Sequence, residues 1–448
     1  MTKSLDGPFL FQAEDAAERG DLQAARELYE AIAVVGDARA WSKLGDLATA
    51  ETLNQDSKES ADGCRSEAIA FYRQGAEAGD RTAALRLADA LHALGDDNAL
   101  DWYCQAASLG LAEGALKAGR FLWEADHEHK DIEAVEQQWQ RALAMGERLN
   151  ALTALAELEI FRNDPVTAVG HAIRASLVAR HQLLGSEHGE IGYEDLDAGS
   201  MTDDVARQFE SALDLINNHR METLAGAEAG DADACWNWGR IENLGFGQLP
   251  DPDEGQAWIE RAAAAGQPEA LLALSRRDRK IGNLAGFERQ LRRAAAAGLP
   301  AASHDLGYAL YSGAFDGTPD INAALEAYRS IAGPDHPTTA TDLSFVLEDQ
   351  PGPEAAAESV RWLLVAGEAG DVAAMRRLGE RYLAGEGFDA DVRKALAWFM
   401  SAHYAGWDDG LTTLQPIAKK VHASDIIAAD RDADGSGQAA ALLLDDQH

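Results

Sequence analysis

Cysteine, proline and aromatic residues are all scarce in this chain of 448 residues. It contains 3 cysteines and 12 prolines, and 7% of its residues are aromatic. Cys64, Cys104 and Cys235 are odd in number and widely separated, which argues against a disulfide framework and a C-x-x-C metal pair and is typical of a reducing compartment. Two of them lie in amphipathic helical segments, so we interpret the cysteines as small core residues.

Basic residues are also in deficit, because 39 lysines and arginines stand against 76 acidic residues, giving a formal net charge of -37. The acidic residues are spread along most of the chain. Such a surface repels nucleic acid and anionic lipid, so we predict neither nucleic acid nor a membrane as a partner. A basic partner is compatible with this charge.

Long apolar runs are missing as well. The opening MTKSLDGPFLFQAEDAAERGD has no apolar core of a secretory signal, and no later segment approaches the roughly 18 uninterrupted apolar residues of a membrane-spanning helix. We therefore expect a cytoplasmic protein. Arginine outnumbers lysine heavily, which is typical of a GC-rich bacterial genome and predicts a bacterial source.

The sequence is instead rich in alanine, and a glycine repeatedly ends an alanine-rich helical segment. Most of the spacings between these closing glycines are 31 to 37 residues, the length of two helices and two turns. We call the helix after a closing glycine helix A and the helix before the next one helix B. The closing glycines are Gly36, Gly79, Gly110, Gly146, Gly230, Gly266, Gly298, Gly370 and Gly406.

Two further positions recur at fixed distances from the closing glycine. An aromatic stands eight residues before it in five repeats, at Phe71, Trp102, Trp258, Trp362 and Trp398. A small residue stands nine residues after it, at Gly45, Ala88, Gly119, Gly239, Gly307 and Gly379. Glycine inside a helix costs about 1 kcal/mol relative to alanine, so we predict that another helix approaches helix A closely at this point.

The most complete repeat resembles a Sel1-like repeat of the tetratricopeptide superfamily. Its matching residues are Leu378, Gly379, Tyr382, Gly385, Gly387, Phe388, Asp391, Lys394, Ala395, Trp398, Ala402 and Gly406. Residues 231–266 keep Gly239, Gly245, Gly247, Trp258 and Gly266, and 303–332 also match. The N-terminal third lacks the Gly-x-Gly turn and resembles degenerate Sel1-like or plain tetratricopeptide repeats.

The resemblance implies an all-α fold, a right-handed α/α superhelical solenoid, here of about 10–12 helix pairs. It also implies binding of a protein or peptide, with no catalysis and no cofactor. Turn chemistry agrees, because Gly385 and Gly387 suit the left-handed backbone that ends helix A and Asp391 is suited to cap helix B. Aspartates directly after closing glycines, such as Asp231 and Asp371, are expected to cap helix A.

Four segments follow from the repeat pattern. Residues 9–182 are predicted to form N-terminal helical repeats, 183–201 an acidic linker containing glycines, and 202–422 the C-terminal Sel1-like repeats. Residues 431–448 are predicted to be a disordered tail. The alternative for this tail is that Leu442 to Leu444 dock on the final helix as a cap.

Two motifs suggest metal binding, but a simpler interpretation is favoured for each. The segment 430–441 begins like a calcium loop with Asp430, Asp432 and Asp434, yet its twelfth position is Ala441 rather than the bidentate carboxylate, so we favour a polar tail. His127 and His129 point to different sides of a helix and are interpreted as a solvated helix end. We predict no catalytic, metal or cofactor site.

One local feature departs from the acidic background and gives our candidate patch for partner binding. We name it the predicted basic patch, and it consists of Arg276, Arg277, Lys280, Arg289, Arg292 and Arg293, with Arg279 nearby. The simplest interpretation is a pair of solvated helix faces whose cations pair with Asp278, Glu288 and other acids. The alternative is a surface that receives an acidic peptide or carboxylate.

Three functions remain open. The first is an adaptor that presents a concave helical groove to a protein or peptide. The second is an inhibitory or immunity-type protein whose acidic surface neutralises a basic partner. The third, by analogy with cysteine-rich Sel1-like proteins, is an enzyme acting on β-lactams. Because the three cysteines do not recur with the repeat, this last function is the least favoured.

Overall fold

The protein is described by a computed structural model over residues 9–53, 58–124, 131–184, 203–246, 249–407, 409–433, 435 and 437–445. These residues form 25 α-helices and no β-strand, which confirms the predicted all-α helical repeat fold. The chain divides into two compact units. The central unit is Ala112–Ile331, and the two-segment unit combines Met1–Leu111 with Ala332–His448.

The helices follow one another along the chain with short connections. The first segment of the two-segment unit contains α1 (Leu10–Glu18), α2 (Leu22–Val34), α3 (Arg39–Leu53), α4 (Lys58–Glu77), α5 (Arg81–Ala93) and α6 (Ala99–Ser108). The central unit contains α7 (Ala112–Glu124), α8 (Ile132–Ala144), α9 (Arg148–Phe161), α10 (Pro165–Leu184), α11 (Asp203–Asn218), α12 (Arg220–Glu228), α13 (Ala232–Leu244), α14 (Pro252–Ala265), α15 (Pro268–Lys280), α16 (Leu284–Ala296), α17 (Pro300–Tyr311) and α18 (Ile321–Arg329). The second segment of the two-segment unit contains α19 (Pro337–Glu348), α20 (Pro353–Glu368), α21 (Val372–Ala384), α22 (Val392–Tyr404), α23 (Gly410–Ala418), α24 (Ala423–Asp432) and α25 (Gln438–Asp445).

Helices begin where an aspartate satisfies a free backbone N–H group. The side chain of Asp391 accepts from the backbone N–H of Lys394 at 3.1 Å and begins α22. Asp371 and Asp231 cap α21 and α13 in the same way, at 2.9 Å and 2.7 Å. These aspartates therefore have a structural role, because each satisfies a donor that the helix itself leaves unpaired.

Helices end where glycine adopts the left-handed backbone conformation. All nine closing glycines have φ between 85° and 104°. Gly385 ends α21 with φ 73°, and Gly387 in the following turn has φ 77°. A side chain at such a φ is strained, so these positions need glycine for backbone reasons. Gly247 lies outside the described residues.

The small residue within helix A makes room for a side chain of helix B. A Cβ added at Gly379 would lie 2.7 Å from the ring of Phe399, and one at Gly307 would lie 2.7 Å from the ring of Tyr328. Phe399 stands seven residues before Gly406. The ring that contacts Gly379 therefore belongs to the residue one position after the aromatic of the sequence pattern. The same arrangement joins Gly45 to Tyr72 and Gly119 to Trp139.

Gly239 differs from the other small residues. A Cβ there would lie 2.9 Å from the carbonyl oxygen of Gly255 in α14. The two helix backbones approach each other directly, as the sequence predicts for the whole series. At the four other glycines of this series a ring fills this space instead, which a pattern of spacings alone does not distinguish.

Each unit buries its own apolar core. In the central unit, Ile173, Ile216 and Ile241 are fully buried with residues from α10 to α17. In the two-segment unit, Phe9 packs with Leu396, Leu414 and other residues of α22 to α25. The two ends of the described chain therefore share one hydrophobic cluster.

The last described residues bear on the two interpretations of the tail. Gln438–Asp445 is a helix, and its Leu443 and Leu444 are buried, as expected for a docked cap. The predicted disorder of 431–448 does not match this helix. Most of the predicted linker, from 185 onward, lies outside the described residues, and the boundaries at 182 and 202 stay predictions. Within the described part of the chain, no helix is long and apolar enough to cross a membrane.

Candidate functional site

The predicted basic patch lies on α15 and α16, and most of its cations already have partners. Arg276 pairs with Asp305 at 2.9 Å and Arg277 with Glu260 at 2.6 Å. The hydrogen bond from Arg277 lowers the pKa of the Glu260 carboxyl below its ordinary value. Arg292 pairs with Glu288 at 2.9 Å. Each of these pairs is largely solvent-exposed and contributes about 1 kcal/mol or less.

The other patch residues differ from one another. Arg293 donates to the carbonyl oxygen of Ala263 at 3.1 Å. Arg279 lies over the ring of Phe287, 5.7 Å from its centroid. Lys280 and Arg289 are exposed and have no ion pair with any residue that the structure describes. The patch thus keeps little unpaired charge, and its role in binding stays a prediction.

A second group of cations, which the sequence did not single out, lies where α10 packs against α13 in the central unit. The side chain of Asn237 donates to the carbonyl oxygen of Val166 at 2.9 Å. Gly170 gives it space, because a Cβ there would lie 3.1 Å from the Asn237 amide nitrogen. One turn further along each helix stands an arginine, Arg174 on α10 and Arg240 on α13. We name Arg174, Arg240, Trp236 and Glu269 the α10–α13 site.

The charge of one arginine of this site acts on the other. Burial and, after it, the positive charge of Arg174 lower the pKa of Arg240 to about 10, against the opposing effect of Glu269. Burial also lowers the pKa of Arg174, with a contribution from the charge of Arg148. Both guanidinium groups remain protonated at neutral pH. Like charges held together at partly desolvated positions raise the free energy of this surface.

The rest of the α10–α13 site supplies one aromatic face and one carboxylate. The guanidinium of Arg240 lies over the ring of Trp236, 5.4 Å from its centroid. The carboxylate of Glu269 accepts from the Gln267 side chain at 2.6 Å. Glu269 therefore stays near the arginines while its own oxygen is held by a neighbour. Trp236 is only partly buried, so part of its ring is available to a ligand.

The two arginines differ in accessibility. Arg174 is exposed to solvent and Arg240 is half-buried. Neither residue forms a hydrogen bond or an ion pair with the described part of the chain.

His171 lies one turn before Arg174 on α10 and adds no charge at neutral pH. Burial lowers its pKa to about 4, and the charge of Arg174 acts in the same direction. Glu136 and Asp164 oppose this shift only in part. The positive charge of the α10–α13 site therefore comes from arginine and does not vary between pH 6 and pH 8.

Two aspartates of the segment 430–441, which resembles a calcium loop, have partners within the protein. The carboxylate of Asp430 is buried and accepts from the Tyr404 hydroxyl at 2.5 Å and from the backbone N–H of Gly437 at 2.7 Å. Asp432 instead pairs with Arg393 at 2.7 Å on the surface. The two carboxylates have separate partners, and Asp434 lies outside the described residues. The hydrogen bonds of Asp430 fix the start of α25.

The histidines and cysteines considered as possible site residues lie in different surroundings. His127 and His129 lie outside the described residues. Cys235 is buried and donates to the carbonyl oxygen of Ala227 at 3.4 Å, whereas Cys64 and Cys104 are partly exposed. No group of three or more histidine, cysteine, aspartate or glutamate residues able to hold a metal ion occurs in the part of the chain that the structure describes.

A buried ionic network links α19, α20 and α21 in the two-segment unit. Glu348 accepts from Arg377 at 2.8 Å and from Arg381 at 2.7 Å. Arg381 is buried and also donates to the Ser359 hydroxyl at 3.0 Å. The hydrogen bond that Arg377 donates to Glu348 is the main cause that raises the pKa of Arg377 above its ordinary value. Its charges are balanced within the fold, so we assign this network to packing rather than to ligand binding.

Comparison with known proteins bears on the repeats directly. The family model described as the Sel1 repeat matches 65–80, 83–111, 232–267, 300–329 and 372–402. The last three stretches overlap the segments whose motif is most complete, and the first two lie in the predicted degenerate third. A comparison with curated protein sequences gives no match.

Several solved structures are similar to this chain. A protective antigen of uropathogenic Escherichia coli with an SLR fold is 20% identical, with a TM-score of 0.42, and the match covers 94% of this chain and 97% of that one. A Sel1 repeat protein from Oxalobacter formigenes is 21% identical, with a TM-score of 0.39, over 48% and 87% of the two chains. Yeast Tom70 is 13% identical, with a TM-score of 0.34, over 94% of each. Five stretches of this chain therefore match the Sel1 repeat, and they lie on helices followed by glycines in the left-handed conformation.

Proposed function

We propose that this protein is a non-catalytic interaction scaffold or adaptor that binds a protein or peptide on the helix A surface of its central unit. The observation that supports this proposal most is a row of accessible side chains at equivalent positions. The residue after the small position of helix A is Arg240 in α13, Arg276 in α15 and Tyr308 in α17. Tyr308 is 51% exposed.

Contacts between the successive A helices support treating these positions as one surface. Asp233 of α13 accepts from Gln267, just before α15, at 3.5 Å. Arg276 of α15 pairs with Asp305 of α17 at 2.9 Å. Aromatic and arginine side chains contribute strongly to protein interfaces. A rigid row of such side chains is suited to an extended segment of a partner.

A second candidate is an inhibitory or immunity-type protein that neutralises a basic partner. The net charge of -37 favours it, because opposite charge accelerates and tightens association at low ionic strength. This partner would bind the acidic faces rather than the row of helix A. The two candidates therefore differ in where the partner binds and in how strongly salt weakens binding.

Affinity capture from a lysate of the source cells tests the proposal. Bound proteins are eluted in salt steps from about 0.1 to 1 M and identified by mass spectrometry. Retention of one dominant partner through high salt, lost on Tyr308→Ala, is expected for the scaffold. Release of that partner at low salt, with no effect of Tyr308→Ala, would favour the neutralising protein. Absence of any enriched protein would argue against both.

Catalysis is tested separately. We expect no hydrolysis of a β-lactam by the purified protein, because the cysteines do not recur with the repeat. Measurable turnover that survives further purification would contradict the non-catalytic assignment.

A further inference from the structure

We propose that the α10–α13 site is a receptor for a carboxylate of an acidic peptide segment, with Trp236 covering the apolar residue beside it. This inference rests on the proposed function and names the chemistry of its partner. Two features of the site carry it. The arginines form no hydrogen bond or ion pair with the described residues, and Arg240 lies over the ring of Trp236.

The first step is the local balance of charge. The charge of Arg148 acts on Arg174 and the charge of Arg174 acts on Arg240, and Glu269 is the acidic residue that acts on both Arg174 and Arg240. The carboxylate of Glu269 is engaged with Gln267. The site therefore places two positive charges near each other in a chain whose net charge is -37. A bound carboxylate relieves the repulsion between the arginines, so the fold favours the anion before any direct contact is considered.

The second step is geometry. The Asn237 hydrogen bond to Val166 and the close approach at Gly170 fix α10 against α13. Arg174 and Arg240 lie one turn beyond this contact on α10 and α13, so their backbones are held in place without a ligand. Arginine presents a planar array of donors that matches a carboxylate. A preorganised pair loses less entropy on binding than two arginines on loops.

The third step is the choice of ligand class. Trp236 offers an apolar face beside the cations, which suits a peptide with an apolar residue next to its acidic ones. A nucleic acid brings many phosphates against an acidic protein, whereas a short acidic peptide brings few charges. We therefore assign the site to a peptide carboxylate, and phosphate becomes an outcome of the test.

Fluorine NMR on the full chain labelled with 5-fluorotryptophan tests the assignment. The Trp236 signal is identified by its loss in Trp236→Phe. The ligand is the capped tripeptide acetyl-Phe-Glu-Glu-amide, and its neutral match is acetyl-Phe-Gln-Gln-amide. We expect the acidic peptide to shift the Trp236 signal in a saturable manner and the neutral peptide to leave it unchanged.

Variants of the two arginines give the decisive comparison. Arg240→Gln and Arg174→Gln are each expected to weaken binding of the acidic peptide by about tenfold or more, as expected for loss of a charged hydrogen-bonding partner. Arg393→Gln, which removes an arginine already paired with Asp432 in the two-segment unit, is the matched control and should change the affinity by less than about twofold. Circular dichroism and thermal unfolding establish that each variant is folded.

Several results would overturn the proposal. These are equal binding of the neutral peptide, unchanged affinity in both arginine variants, the absence of a saturable shift, and competition by inorganic phosphate at equal concentration. If the wild-type chain captures one dominant partner that Arg174→Gln and Arg240→Gln also retain, this inference fails while the scaffold function stands. If the wild-type chain captures no protein at all, the scaffold function itself fails.

Discussion

At the scale of single residues, glycine has two distinct functions in this protein. The closing glycines adopt a left-handed backbone and have open space around them, as at Gly266 and Gly406. Gly379 has an ordinary helical backbone but no space, because the ring of Phe399 occupies the volume of a side chain. The first kind of glycine is required by the backbone and the second by packing.

This distinction predicts opposite effects for one substitution at two helical glycines. Gly379→Ala is expected to destabilise the protein by about 1–2 kcal/mol, since overpacking costs more than the gain in helix propensity. Gly63→Ala, in α4 with open space, is expected to stabilise it by about 0.5–1 kcal/mol. Chemical denaturation measures both. A stabilised Gly379→Ala variant would show that the ring of Phe399 moves aside freely.

His171 predicts a dependence of stability on pH. Its pKa in the folded protein is about 4, below the ordinary value of 6.5. The unfolded chain therefore binds a proton at this residue between pH 6.5 and pH 4 while the folded chain does not, so stability falls as the pH falls through this range. By pH 5 the loss is about 1–2 kcal/mol.

The comparison with His171→Gln isolates this contribution, because the other titrating groups are common to both proteins. Urea denaturation at pH 7 and pH 5 should give the wild-type protein a larger loss of unfolding free energy than the variant. An identical loss in the two proteins would mean that His171 is accessible enough to be protonated in the folded state.

At the scale of the element, the last helix depends on a carboxylate outside it. Asp430 of α24 accepts from the backbone N–H groups of Gly437 and Ala440 and from the Tyr404 hydroxyl. One buried side chain thus satisfies donors at the start of α25 and ties it to α22. An N-cap supplied from another helix couples the two elements.

We expect Asp430→Ala to accelerate amide hydrogen exchange over Gln438–Asp445 by about tenfold or more, because two buried backbone donors and the Tyr404 hydroxyl lose their acceptor. Asp432→Ala is the control, since its ion pair with Arg393 is about half exposed and removal should leave exchange in α25 nearly unchanged. Equal effects of the two variants would mean that α25 is held by its leucines alone.

The elements also explain what the sequence reveals and what it does not. Helix ends and closing glycines were predictable because φ and capping depend on a few consecutive residues, as at Gly385 and Asp391. The contact of the Phe399 ring with Gly379 was not predicted, because packing depends on residues of two separate helices. The α10–α13 site was missed for the same reason, since repeat reasoning pairs neighbouring helices and α10 reaches α13 past two others.

At the scale of the whole molecule, charge is the feature that sets this protein apart. A net charge of -37 produces repulsion that the folded chain concentrates into a smaller volume. Ion pairs such as those of Arg277 and Arg377 oppose it locally. Repulsion acts over longer distances than these pairs, so screening by salt relieves it first.

We therefore expect the thermal midpoint at pH 8 to rise as sodium chloride is raised from about 0.02 to 0.5 M. A gain of about 1 kcal/mol from screening corresponds to about 2–4 °C for a domain of about 150–250 residues. The same titration at pH 5, where the carboxylates are partly protonated, should give a smaller rise. A thermal midpoint that falls as salt is raised at pH 8 would mean that the ion pairs contribute more to stability than the net repulsion costs.

The contact of Phe9 with α22 to α25 has a consequence for synthesis on the ribosome. The central unit is one continuous stretch and can complete its core once Ile331 has left the exit tunnel. Phe9 must wait for partners such as Leu414 and Leu443, which are translated long after it. Phe9 thus emerges well before it can be buried, and until then its apolar surface is a natural target for a chaperone.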